Sequence, residues 1–527
     1  MAATEKDQTK TSQKLLKKSK KGLMNVIFSR TSIVILLLAL QIGALLLLFF
    51  KFRLYFPYYY AAIAVLSIGM VIRLLNTDSD PNIKITWLVT ILLLPVAGTL
   101  LYLYIEHDIG HRALRDRTDE IAKASRNMLP LTGAEERLEA EHPEDASLAR
   151  YLHGTSGFPV YDQCGAVYYP LGEDFLAALV KDLESAEKFI FLEYFIVEGG
   201  EMWGQVEDVL ARKAAAGVTV RLLYDGTCEF SRLPHRFPKR LHDMGIEARP
   251  FAPIRPFVST HYNYRDHRKI AVIDGRVGYT GGLNLADEYA NYIHPYGHWK
   301  DTAVRISGPA VKTFTLMFLQ MWQVRDHALT FEPYLSAPAQ SQEEAKGYVI
   351  PYGDCPLDND RIGEMVYTQI LNSARSYVHI MTPYLILGHE LESALCFAAQ
   401  RGVEVSILMP SVPDHVLAYA LAKTHYKALV DRGVKLYEYE PGFVHAKSFV
   451  SDDIRAAVGT INLDYRSLRH HFECGTYLCG TDCVKAIEDD FQETLKHCRR
   501  ITPQEAAHIG FKWRLLGSLM KLFAPLM

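Results

Sequence analysis

Residues Tyr264 to Asn284 read YRDHRKIAVIDGRVGYTGGLN, and residues Phe443 to Asn462 read FVHAKSFVSDDIRAAVGTIN. Each stretch holds His-x-Lys, then Asp five residues after the Lys, then Asn ten residues after that Asp. Almost nothing between the fixed positions matches. One His-x-Lys is a common accident of an exposed strand. Two copies with identical spacing to both Asp and Asn are not. Asp274-Gly275 is a hairpin-turn signal, RVGYTG reads as the returning strand, and Asp452-Asp453 takes the same place in the second copy. Residues two apart on a strand point to one face. The spacing therefore predicts a strand over 267–273 that projects His267 with Lys269, and a second that projects His445 with Lys447. Asn284 and Asn462 follow the returning strands and come back to the same edge. Asp274 and Asp452 complete the pattern and count among the candidate catalytic residues, although each occupies a turn position that itself favours Asp or Asn.

The surrounding chain repeats as well. FIFLEYFIV (189–197) and GVTVRLLYDG (217–226) read as strands separated by a helical stretch, as do YVHIMTPYLI (377–386) and GVEVSILMPS (402–411). The motif histidines lie 178 residues apart, too far for a solenoid period and suited to two similar α/β domains packed face to face. The polar stretch SAPAQSQEEAK separates them. The boundaries are a first domain over 156–335, a linker over 336–346 and a second domain over 347–500, after a charged connector over 106–155.

An imidazole, an ammonium and a carboxamide from each half suit a phosphodiester. Lys and Asn stabilise non-bridging oxygens in the transition state. One histidine can attack phosphorus while the other moves a proton near neutral pH. This chemistry calls for no metal or other cofactor.

These residues resemble the phospholipase D superfamily, whose signature is a duplicated HxKxxxxD pattern with a following Gly and Asn. Within it the chain is similar to the bacterial cardiolipin synthases over about 31–527, through FLEYFIVEGGEMW, VRLLYDG, WKDTAVRISGPAV, PGFVHAKSFVSDD and GTINLDYRSLRHHFE among other segments. The resemblance implies transfer of a phosphatidyl group from one phosphatidylglycerol to another through a phosphohistidine, giving cardiolipin and glycerol. His267 would be the nucleophile and His445 the acid and base, with the reverse assignment left open by the likeness of the halves. Lys269, Lys447, Asn284 and Asn462 would bind phosphate. A carboxylate behind each histidine would fix its tautomer, and Asp301 and Glu473 match those places. Gly282 and Thr460 stand where the superfamily often has Ser. Glu193, Tyr194, Tyr384, Asp414 and His415 lie in family-like segments and could line the headgroup site or simply pack. His261, His294, His298, His470 and His471 have no motif spacing and read as structural or surface groups. A membrane-bound hydrolase or nuclease of the same superfamily is the alternative.

Composition bounds the partners. A net charge of −3 disfavours nucleic acid. None of the eight cysteines forms a C-x-x-C pair, and no disulfide framework follows. Residues 1–30 hold seven Lys and one Arg against two acids, a basic tail expected on the cytoplasmic side. Apolar runs at about 32–50, 58–75 and 85–105 predict membrane helices within 31–105, the third interrupted by Pro95 and Gly98. A multi-pass protein of the bacterial inner membrane is expected. Residues 501–527 mix Lys512, Arg514 and Lys521 with Phe511, Leu515 and Leu519, the pattern of an amphipathic helix on a membrane surface. Nothing in the sequence sets the oligomeric state.

Overall fold

The computed structural model describes residues 39–44, 46–47, 50, 56–77, 80–106, 109–253, 264–336 and 345–526. The basic tail, most of the first apolar run and most of the linker lie outside them, as does His261. The described residues form two compact units. One ends at Ala113; the other runs over Leu114–Pro253 and resumes after the interruption that precedes Tyr264.

In the first unit, Phe56–Leu75 contains the one described helix long and apolar enough to cross a membrane. The third apolar run does not form one helix. It breaks at Leu94 into Pro81–Leu93 and Pro95–Glu106. At 1.5 Å per residue these reach about 20 and 18 Å, short of a hydrocarbon core of about 30 Å. The two fold back on each other because Gly98 has no side chain: a Cβ there would lie 2.8 Å from the Thr90 carbonyl oxygen. Met70, Leu74, Trp87, Ile91 and Tyr102 fill the small core that results.

The second unit contains two sheets of matching topology. Its strands, in chain order, are β1 (Gly165–Tyr169), β2 (Phe189–Tyr194), β3 (Thr219–Asp225), β4 (Glu247–Phe251), β5 (Arg265–Asp266), β6 (Lys269–Ile273), β7 (Val277–Gly281), β8 (His298–Lys300), β9 (Ala303–Ser307), β10 (Tyr348–Asp354), β11 (Tyr377–Met381), β12 (Glu404–Pro410), β13 (Lys435–Tyr439), β14 (Gly442–Val444), β15 (Ser448–Ser451), β16 (Arg455–Gly459), β17 (His471–Cys479) and β18 (Cys498–Arg500). The first sheet runs β1-β9-β7-β6-β2-β3-β4 and the second β10-β17-β16-β15-β11-β12-β13-β18. Each pairing of the first sheet has a counterpart of the same direction in the second, with β2, β3 and β4 parallel like β11, β12 and β13.

Alternation along the strands sets the layers. Phe189, Phe191, Ile270 and Val272 point into one core together with Val450, Ala456, Val458 and Phe472 of the second sheet. Their neighbours Ile190, Leu192, Ala271 and Ile273 point the other way, into a core shared with the helices Gly172–Glu184 and Glu201–Ala215. The two sheets thus share an interior, and the helix Val311–Trp322 lies in it with ten of its twelve residues buried.

The stretch expected as a connector is folded. It supplies the helices Ala134–Glu141 and Pro143–Ser156, and Leu138, Ala146 and Leu152 join the core behind the second sheet. Asp145 is fully buried there and takes two hydrogen bonds from Arg455 of β16, at 2.9 and 3.0 Å. Tyr477 donates a third. Removing one partner of such a pair strands a buried charge. Asp145→Ala is expected to cost about 3–5 kcal/mol of unfolding free energy, while Asp145→Leu combined with Arg455→Met costs less than either single change. Denaturant titration of the parent and these four variants tests this.

Candidate active site

The motif histidines sit where the chain crosses between sheets. The strand expected over 267–273 begins only at Lys269, with β6. Two residues upstream, β5 has left the first sheet and pairs in parallel with β17 of the second, Arg265 opposite His471 and Asp266 opposite Phe472. The His267 amide donates to the Phe472 carbonyl at 3.0 Å, outside the ladder of its own sheet. The second copy does the same in reverse. β14 pairs in parallel with β8, Phe443 opposite Trp299, and the His445 amide donates to the Lys300 carbonyl at 2.7 Å.

Each histidine is therefore stitched to the strand that leads into the other half's carboxylate. His267 Nδ1 lies 2.9 and 3.0 Å from the two oxygens of Glu473. His445 Nδ1 lies 2.6 Å from Asp301 Oδ2. With Nδ1 so engaged, Nε2 is the nitrogen left for chemistry. The residues flanking the carboxylates differ. Thr460 donates its hydroxyl to Glu473. At Gly282 a Cβ would stand 2.0 Å from Asp301 Oδ1, so no side chain fits. The departures at these two positions thus leave the two carboxylates unequally held.

Lys269 Nζ donates to the His267 carbonyl at 2.5 Å. Lys447 Nζ donates to the His445 carbonyl and lies 2.7 and 3.0 Å from the ring nitrogens of His445. Burial dominates their titration. It lowers Lys269 to about 8 and Lys447 to about 7, against attraction from Glu473 and Asp301 respectively. Burial, then the Lys447 charge, lowers His445 to about 4, although Asp301 pulls it up. His267 falls well below its usual range, through burial first and then Lys269, His471, Lys447 and His445. Contributions from both halves to one imidazole mark a single shared site.

The asparagines complete it unequally. Asn284 accepts from the Ile196 amide at 2.9 Å and donates to the Tyr289 hydroxyl at 2.7 Å. Tyr289 stands edge-on to His445, 5.4 Å between ring centres. Asn462 is buried with no protein partner for Oδ1. Asp274 and Asp452 are not brought to the histidines. They lie beyond β6 and β15, each about 17 Å along the chain from its motif lysine at the usual strand rise. Asp274 accepts from the amides of Glu187, Lys188 and Phe189 at 2.7–2.9 Å, and Asp452 from those of Arg375, Ser376 and Tyr377 at 2.7–2.9 Å. Both adopt positive φ, 53° and 56°, as the two-residue turn requires. They build the hairpin and anchor it to the start of the neighbouring strand.

The remaining candidates separate by contact. Glu193 is buried against Arg268 at 2.7 Å, and Tyr194 is packed in the core behind the first sheet. Tyr384 donates to Asp414, and both line a small pocket with His415 and Phe443, the last adjoining His445. His298 pairs with Tyr439 at 3.0 Å, His470 meets the Pro525 carbonyl at 3.0 Å, and His294 is exposed. His471 is different. It is buried beside His267, 5.2 Å between ring centres. Motif spacing did not find it. The signal lay in its place two residues before Glu473.

A cardiolipin synthase phospholipase D-like domain model matches residues 367–495, and a phospholipase D-nuclease N-terminal model matches residues 65–105. A Streptococcus mutans protein of unassigned function is 51% identical over 87% of this chain and 100% of its own length. Cardiolipin synthases of Geobacillus kaustophilus and Halalkalibacterium halodurans are 33% and 32% identical, over 88% of this chain and 92% of theirs. The fold is shared with the phosphatidylserine synthase of Haemophilus influenzae, at a TM-score of 0.55 and 14% identity over 72% of this chain and 97% of that one. Fold, paired motifs and relatives together define a phosphatidyltransferase of the phospholipase D type. Within that class the chain belongs to the cardiolipin synthase family.

The aspartate contacts separate stability from chemistry. Asp274→Ala removes a charged acceptor from three amides and is expected to cost roughly 2–3 kcal/mol. The rate of diester cleavage per folded molecule should stay within about threefold. Melting curves read beside turnover of a soluble diester check both halves of that expectation.

Proposed function

We propose that this protein transfers a phosphatidyl group from one phosphatidylglycerol to another through a phosphohistidine, releasing glycerol and forming cardiolipin. The observation that carries this reading is the crossed pairing of His267 with Glu473 and of His445 with Asp301, around two buried lysines. In the first step His267 Nε2 attacks phosphorus and the bond to the headgroup glycerol oxygen breaks. His445 Nε2 gives that oxygen its proton. In the second step His445 takes the proton of a glycerol hydroxyl on the second phosphatidylglycerol. The freed oxygen attacks phosphorus, the phosphorus–nitrogen bond breaks and His267 is restored. Lys269, Lys447 and the two asparagine amides bind the non-bridging oxygens, whose charge grows in each transition state. Thr460 bonds Glu473, the carboxylate behind His267, and position 282 offers Asp301 no such bond, which supports His267 as the nucleophile.

Attachment to the bilayer is part of the same proposal, with the first two apolar N-terminal runs as membrane helices. The C-terminal helix Phe511–Lys521 rests on Val416–Val430 through Gly517, where a Cβ would meet Ala420 at 2.5 Å. Its other side leaves Phe511, Leu515 and Leu519 exposed, at four-residue spacing, among Lys512 and Arg514. Such a stripe fits the boundary of an anionic bilayer.

Purified protein in phosphatidylglycerol vesicles should release one glycerol for each cardiolipin formed. Phosphatidic acid as the sole lipid product would make the protein a hydrolase and defeat the transfer. His267→Ala should lower turnover by about 10⁴-fold or more and abolish the covalent phospho-enzyme. A variant that still trapped it would reassign the nucleophile.

The lysines set a pH dependence. A lysine whose pKa is lowered is charged below that value and loses its charge as pH rises through it. With Lys447 near 7 and Lys269 near 8, the lysines should add a steeper fall in kcat/KM from about pH 7–8 upward, far below the ordinary lysine range, on top of any slope set by the His445 acid. Lys447→Arg, which stays charged, should move that limb to higher pH even if its maximum rate is lower. A pH–rate profile of both proteins decides.

A further inference from the structure

His471 has no role in the two-step scheme, yet it is buried with neither ring nitrogen bonded to a protein partner. Leaving such a group unpaired is costly, so a site that keeps it calls for a ligand. Its ring is tilted 39° to that of His267 at 5.2 Å. Its Nδ1 lies 3.6 Å from Glu473 Oε1, beyond a normal hydrogen bond. Both imidazoles thus turn Nδ1 toward one carboxylate, and both turn Nε2 away from it.

The other half repeats the arrangement with a different residue. Two positions before Asp301 stands Trp299, whose ring is tilted 40° to His445 at 5.2 Å. Its Nε1 is likewise buried without a partner. Indole donates a hydrogen bond and accepts none. What the two positions share is therefore an aromatic ring packed on the motif histidine and an unpaired ring N–H.

We propose that His471 is a third imidazole of the active site, and that its Nε2–H donates a hydrogen bond to a phosphodiester oxygen of the bound lipid. Both the Nε2–H tautomer and the imidazolium carry this donor. Burial first, and then the charges of Arg466, His470, Lys269 and Arg265, hold its pKa well below the usual histidine range. An anionic ligand would pair with the cations among these. The oxygen belongs either to the reacting phosphoryl group of the donor lipid or to the phosphate that the acceptor lipid carries into the second step. The inference rests on the transferase reading above.

Two variants test it. His471→Phe keeps a ring beside His267 and Phe195 but has no N–H. His471→Gln places an amide donor near the position of Nε2. Both are assayed below their melting temperatures, for the rate of phospho-enzyme formation and for the ratio of cardiolipin to phosphatidic acid. If the donor phosphoryl is the ligand, His471→Phe slows phospho-enzyme formation by about 10²-fold and His471→Gln recovers to within about tenfold of the parent. If the acceptor phosphate is the ligand, phospho-enzyme forms at the parent rate while the product ratio shifts about tenfold toward phosphatidic acid, again with recovery by Gln. His471→Phe within about twofold on both readouts, or Gln no better than Phe, overturns the proposal. Bis(p-nitrophenyl) phosphate separates the two readings. Parent protein that cleaves this diester but ignores phosphatidylglycerol ends the lipid reading, and the same pair of variants then tests His471 on diester cleavage. Parent protein inactive on both substrates ends both.

Discussion

Each half of this molecule lacks the carboxylate that its own histidine needs. β5 and β14 each leave one sheet to lie along a strand of the other half, and that exchange places His267 against Glu473 and His445 against Asp301. An isolated half would present an imidazole with Nδ1 unheld and its tautomer unset. The site exists only when both sheets are docked. The shared core of Phe191, Ile270, Val272, Val450, Val458 and Phe472 is thus part of the catalytic apparatus as much as of the fold.

Docking also imposes an electrostatic burden. Two lysines and three histidines are packed with only two carboxylates in direct contact with the imidazoles. Burial pushes the lysines down toward neutrality and lowers all three histidines. A phosphodiester anion supplies negative charge that these side chains do not. Substrate therefore strengthens the cationic forms that the transition state requires, and binding and catalysis draw on the same interaction. A neutral headgroup would gain none of this, which is one physical reason for such a site to prefer diesters.

Much of this was legible in the sequence because it is carried by spacing. The duplicated His, Lys, Asp and Asn give the two halves and their turns, while Asp301 and Glu473, 34 and 28 residues after their histidines, were reached only through the family resemblance. Three features escaped for reasons that spacing does not encode. The strand was read as continuous from His267, although the histidine belongs to a crossing segment whose partner is 205 residues away, at Phe472. The charged stretch before residue 156 looked like a tether, because the pairing that buries Asp145 lies with Arg455, far along the chain. The third apolar run was long enough to span on hydropathy alone, and its division turns on the backbone at Leu94–Pro95 and on the missing side chain of Gly98.

His471 escaped for a subtler reason. Aligning the halves on their His-x-Lys motifs compares His267 with His445 and leaves the flanking residues unmatched. Aligning them on the carboxylates instead sets Trp299-x-Asp301 against His471-x-Glu473, and the asymmetry becomes visible. One half carries an indole beside its catalytic imidazole, the other a second imidazole. Thr460 and Gly282 differ across the same divide, one bonding its carboxylate and the other making room for it. The proposed transfer in two steps, with a covalent bond on one histidine and proton transfers on the other, needs unequal halves. In a molecule built by duplication that inequality resides in the residues around the motif, since the motif itself is the same in both.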